Sequence, residues 1–152
     1  MTKGQLRPYA LKAGEGWTYN FGIDFTVKTG ELGKGPRLAL VEFTTRAGEE
    51  PPNHTHATED EIFYVLEGAL TVWCGGETFE VQDGGFIFLP RGIEHGYQIR
   101  GDDDVRLLVI TSPAQDDPEG GWGGFVADFE AQGELRRSPH GLTDVVMRHP
   151  AS

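Results

Sequence analysis

The feature that most constrains this chain is a cadence of short apolar runs, each closed by a turn signal, from Leu38 to Thr111. The runs are Leu38–Thr44, Glu61–Leu66, Ala69–Trp73, Thr78–Val81, Phe86–Leu89, Gly96–Arg100 and Val105–Thr111. Between them stand Glu67-Gly68, Gly75-Gly76, Asp83-Gly84-Gly85, Pro90-Arg91-Gly92 and Gly101-Asp102. Runs this short and evenly spaced predict antiparallel strands in a sandwich or barrel. Trp17–Phe21 and Phe25–Lys28 read as two further strand-like pieces in an N-terminal stretch, 1–35. Residues 36–113 then form the barrel core, and 114–152 a loop, a short helix and a tail, all within one domain. The helix is expected over Phe125–Gln132, because Trp122, Phe125 and Phe129 recur at helical spacing before Gly133. Those three aromatics suit either a lid over the barrel mouth or packing against the sheet or a partner.

Composition narrows the function classes. A net charge of −11 over 152 residues repels phosphate backbones, so no nucleic-acid partner is expected. No run approaches the length of a membrane span, and the N-terminus lacks an apolar signal core, which points to a cytoplasmic protein with no membrane partner. The lone cysteine, Cys74, rules out an intramolecular disulfide; with no basic residue near it, it reads as an inert structural thiol. The strand-rich N-terminus, with a sheet edge to protect, points to a homodimer.

Three of the five histidines fall in two glycine-bounded segments. The first runs Gly48-Glu-Glu-Pro-Pro-Asn-His54-Thr-His56-Ala-Thr-Glu-Asp-Glu61 and on to Gly68; the second runs Gly84-Gly-Phe-Ile-Phe-Leu-Pro90-Arg-Gly92-Ile-Glu-His95. Taken singly, each piece has a structural explanation. Together they bring two imidazoles two residues apart, a carboxylate at a strand start and a third imidazole after a rigid turn. That mixed nitrogen and oxygen set suits one divalent transition metal, whether nickel, cobalt, iron, manganese, copper or zinc. Strand alternation would turn His54 and His56 to the same side. Glu59 is the rival to Glu61, which wins because it heads the apolar run and shares parity with Phe63 and Val65, leaving Glu59 and Asp60 in the turn. Glu49 and Glu50 read as solvated loop charges. Phe63 shares a face with Glu61, and Tyr97 with His95, so both are candidate substrate-binding residues; Phe63 could equally be barrel filling, whereas the Tyr97 hydroxyl wants a partner and favours the pocket. Phe43, Trp73, Phe79, Phe86 and Phe88 are expected in the core.

Both segments resemble the two motifs of the cupin superfamily, glycine for glycine and ligand for ligand, over about half the chain. The resemblance implies a double-stranded β-helix, or jelly-roll barrel, with His54, His56, Glu61 and His95 as metal ligands. It departs where an asparagine often stands four residues beyond the second-motif histidine; here that residue is Ile99. Within the superfamily, Pro51–Gly68, Phe88–His95 and Val105–Pro113 are most similar to the quercetinase group. That likeness implies a metal-dependent dioxygenase that cleaves a flavonol-like or other enolisable aromatic substrate, with Glu61 as the catalytic base. The alternatives are a non-oxidative isomerase or cyclase, for example on a polyketide, and a non-catalytic small-molecule-binding protein.

Overall fold

The structure, a computed structural model, describes residues 8–29, 38–112 and 134–137. Ten strands are found there: β1 (Trp17–Phe21), β2 (Ile23–Val27), β3 (Ala39–Thr45), β4 (Asp60–Glu67), β5 (Ala69–Cys74), β6 (Glu77–Gln82), β7 (Phe86–Leu89), β8 (His95–Ile99), β9 (Val105–Ser112) and β10 (Glu134–Arg137). No helix occurs among the described residues, and the helix expected over Phe125–Gln132 lies outside them. No helix in that set is long and apolar enough to cross a membrane.

The fold is all-β and antiparallel. One sheet has the order β10-β1-β2-β3-β9-β4-β7, and the other β6-β5-β8. The N-terminal strands extend the long sheet, with β2 on β3 and β1 on β2. Strand alternation decides what lies between the sheets. Val41 and Phe43 on β3, Phe63 and Val65 on β4, and Leu107 and Val109 on β9 turn inward. They meet Leu70 and Val72 of β5 and Tyr97 and Ile99 of β8 in one apolar cluster. Burying each such side chain contributes roughly 1.5–3 kcal/mol, so the inward parity of these strands is strongly fixed.

The β4–β5 turn depends on Gly68. Its φ of +110° is a left-handed value that L side chains rarely adopt, and a Cβ there would lie 2.6 Å from Cγ2 of Val105. Gly68 also donates its N–H to Oδ1 of Asp83 at 2.7 Å, which joins this turn to the one entering β7.

Four aromatic residues depart from expectation. Phe43 is buried, but Phe79, Phe86 and Phe88 are exposed at 41%, 56% and 49%, and Trp73 is half-buried. The cause on β7 is parity. Every residue of Phe86-Ile-Phe-Leu89 is apolar, so the pattern cannot say which pair faces in, and the structure buries Ile87 and Leu89. Phe86 and Phe88 then stand beside Tyr64 and Ile62 of β4, which pair with Leu108 and Ile110 of β9. The outer face of this end of the sheet is therefore apolar, where an antiparallel sheet usually presents polar residues.

Candidate metal centre

Residues 51–59, which carry His54 and His56, lie outside the named strands. Plain strand alternation is therefore not what turns the two rings together. An isolated antiparallel bridge does part of the work: His54 N–H donates to the His95 carbonyl at 3.0 Å, and His95 N–H returns a bond to the His54 carbonyl at 2.9 Å. Gly92 N–H then holds the His56 carbonyl at 2.8 Å. The arm is stitched to the turn before β8, and the three imidazoles gather with ring centroids 4.6 to 5.3 Å apart.

Glu61 comes from β4, and Asp60 beside it fixes the turn that delivers His95. The Asp60 carboxylate accepts from Arg91 N–H at 3.0 Å, Nε at 3.1 Å and Nη2 at 2.9 Å. This two-pronged ion pair holds the Asp60 carboxyl below its ordinary range. The first strand of the site and the Pro90-Arg91-Gly92 turn are thus clamped together. Asp60 is a strand residue with this task, and Glu59 is fully buried. Glu59 adds negative charge near His56.

One ligand atom from each of His54, His56, Glu61 and His95 lies within 4.8 Å of the other three. Oε1 of Glu61 is 3.0 Å from Nε2 of His95 and 3.4 Å from Nε2 of His56. None of these three buried atoms has a hydrogen-bond partner of acceptable geometry. The rings are oriented from behind: Nδ1 of His54 donates to the Pro52 carbonyl at 2.9 Å, and Nδ1 of His95 to the Ile93 carbonyl at 3.3 Å. The Nε2 atoms of His56 and His95 are left facing Glu61. Metal-bound histidines are commonly held in this manner.

Electrostatics support the same reading. Glu61 is 1% exposed. Burial pushes its carboxyl up, but His56 and His95 outweigh burial and leave it below its ordinary value. Burial pushes His56 down, yet the Glu61 carboxylate leaves it raised; His54 is lowered, chiefly by burial. A buried ion costs several kcal/mol even after the protein relaxes. A carboxylate held ionised among three imidazoles therefore favours a cation. The orphaned donors, their spacing and their chemistry fit a divalent ion.

Phe63 and Tyr97 lie just inside, 3% and 6% exposed, in edge-to-face contact with centroids 5.5 Å apart. Burial, then Glu61, pushes the Tyr97 phenol well up, so it stays protonated.

Two features escaped the sequence reading. Glu50 is no solvated loop charge: Oε2 accepts from Ile99 N–H at 3.0 Å, tying the start of the histidine arm to β8. It occupies the backbone donor of the residue that stands where cupins often have asparagine. Trp73 is no simple core filler, because its indole N–H donates to Oδ1 of Asn53 at 3.0 Å. Neither pairing leaves a local signal, since each joins residues 20 or more positions apart.

The cupin domain model matches residues 41–111. Quercetin 2,3-dioxygenase of Bacillus subtilis is 30% identical over 105 residues, covering 68% of this chain and 31% of that protein. Polyketide synthase CurC of Streptomyces cyaneus is 33% identical over 73 residues, covering 48% of this chain and 47% of CurC. The chain thus spans less than half of either relative. An RmlC-like cupin from Shewanella frigidimarina superposes with a TM-score of 0.60 at 20% identity, covering 73% of this chain and 96% of that one. The domain match takes in Glu61 and both histidine-bearing segments, and the structural likeness extends over most of the chain, which makes this chain a member of the cupin superfamily.

Proposed function

We propose that the chain is a metal-dependent dioxygenase acting on a flavonol-like or other enolisable aromatic compound. The observation that carries this reading is the buried carboxylate of Glu61 among three imidazoles, with a neutral phenol and an aromatic edge beside it. His54, His56, Glu61 and His95 would hold a divalent ion, which would supply Lewis acidity and make a substrate hydroxyl more acidic. Glu61 is the base that takes that proton, since its carboxyl is kept ionised and is the one carboxylate of the ligand set. Tyr97 donates a hydrogen bond to a substrate oxygen, and Phe63 packs against the ring while water is kept out. The likeness to quercetin 2,3-dioxygenase supports the oxidative branch.

The likeness to polyketide synthase CurC favours a second reading, a non-oxidative isomerase or cyclase. The same Glu61 and Tyr97 would serve it as base and acid, and no oxygen would be consumed. Oxygen uptake separates the two. Protein loaded with cobalt, nickel, iron or manganese is offered a flavonol panel, and flavonol loss matched by oxygen uptake and carbon monoxide release is the expected result. Bound metal with no uptake on any substrate would remove the oxidative branch and leave the second reading.

The proposal includes a cytoplasmic homodimer. Its support is the apolar outer face formed by Phe86, Phe88, Tyr64 and Ile62 on a chain of net charge −11, where two copies meet most easily across uncharged surface. Light scattering should read twice the chain mass, falling to one on Phe88→Glu. A monomeric wild-type chain removes the dimer.

A further inference from the structure

We propose that Trp73 and Asn53 are positioning residues for the metal centre, and that Gly96 is a glycine so that their contact can form. The inference rests on the metal reading above and deepens it. In the register of β5 and β8, Trp73 lies opposite Gly96, the residue after His95. Its indole N–H reaches Asn53, the residue before His54. One side chain therefore touches the neighbours of two ligands from segments far apart in the chain.

The close approach at Gly96 shows how tightly the three fit. A Cβ there would stand 2.2 Å from Oδ1 of Asn53 and 2.9 Å from two carbons of the indole ring. Gly96 does not have a left-handed φ, so backbone freedom is not what its place requires. The place requires an absent side chain, so that the Trp73 ring and the Asn53 amide can lie over the backbone.

The arm carrying His54 and His56 needs such a tie. It belongs to no named strand; its backbone bonds hold the N–H and carbonyl of His54 and the carbonyl of His56, and Glu50 ties its start to β8, which leaves Asn53 in the stretch between these two anchorages. An arm free to move must be ordered when the ion binds, and that ordering subtracts from affinity. Asn53 held by Trp73 orders it beforehand. Because Trp73 is half-exposed, water can replace Asn53 as its partner, so loss of the bond should leave the fold nearly as stable.

The test is cobalt(II) affinity of the full chain, measured against a competing chelator, beside thermal melting of the metal-free protein. Trp73→Phe keeps an aromatic ring over Gly96 and removes the donor. It should bind cobalt about 10-fold more weakly, the lower end of what loss of an outer-shell partner costs, while metal-free melting barely moves. Asn53→Leu should match it, Asn53→Asp should hold wild-type affinity because an acceptor oxygen remains, and the Trp73→Phe/Asn53→Leu pair should lose no more than either alone. By NMR, the Trp73 indole N–H should exchange slowly in wild type and faster in Asn53→Leu. Wild-type affinity in Trp73→Phe overturns the tie and leaves the metal centre standing. A wild-type chain that binds no divalent ion overturns both.

Discussion

His95→Ala will not hold a stoichiometric divalent ion. His95 is 1% exposed, its Nε2 is 3.0 Å from Glu61, and its backbone forms both bonds of the bridge to His54. The backbone bridge survives truncation to alanine, so the arm keeps its place and the loss falls on the ligand set. Outer-shell changes cost about 10–100-fold in metal affinity, and removal of a ligand should exceed that range. The metal-free protein should weaken too. Truncation opens a void and takes away one of the two imidazoles that keep the Glu61 carboxyl low, and breaking a buried pair typically costs about 3–5 kcal/mol. His54→Ala should lose the metal equally, with a smaller cost to the metal-free fold, because His54 is only half-buried and its Nδ1 faces a loop carbonyl. Metal content after dialysis, with denaturant melting of each metal-free variant, reads both effects. Wild-type metal content in His95→Ala would remove it from the ligand set.

The contrast between these histidines shows where sequence is informative. Nine of the ten strands were legible because turn glycines and apolar runs are local signals, and for these predicted and observed ends mostly agree to within about two residues. The tenth, β10 (Glu134–Arg137), was missed in a stretch read as loop, helix and tail, because Glu-Leu-Arg-Arg carries a single apolar residue. The four ligand residues were legible because chemistry limits which residues can bind a cation. What turns their rings together was not. Regular alternation seemed sufficient for His54 and His56, whereas the structure uses a bridge to His95 and a bond from Gly92, contacts about 40 positions apart that no local pattern encodes. The same limit hid Glu50 behind its loop and Trp73 behind its strand. Glu59 and Asp60 were both assigned to a turn, yet one is fully buried and the other clamps Arg91, and nothing in Thr-Glu-Asp-Glu distinguishes their fates. On β7 the failure has another origin. Four consecutive apolar residues make either parity look acceptable, so Phe86 and Phe88 were expected inside when the alternate pair is buried.

Glu61→Gln separates charge from shape and should have the largest effect on turnover. Glutamine fills the same volume, so the barrel and the three imidazoles should stay in place and retain part of the metal affinity. It cannot accept a proton, and loss of a general base typically costs about 10²–10⁴-fold in rate. A second signature appears without any metal. The folded Glu61 carboxyl is depressed below 4.5, so it adds stability that is present above that value and lost as pH falls through the depressed value. His56 is raised above 6.5, so its contribution is full below 6.5 and lost as pH rises through the raised value. The pair therefore stabilises the metal-free chain most between about 4.5 and 6.5. Glutamine removes one partner and with it the cause of the other's shift, so this maximum should flatten. His54 is lowered chiefly by burial and partly held up by the Glu61 charge, so in the glutamine variant it falls further and costs the fold more stability below 6.5, which adds to the flattening. Melting of both metal-free proteins across pH 4 to 8, set beside turnover of the loaded forms, is the measurement. Turnover like wild type would remove Glu61 as the base, and an unchanged pH profile would show that its carboxylate is not coupled to His56.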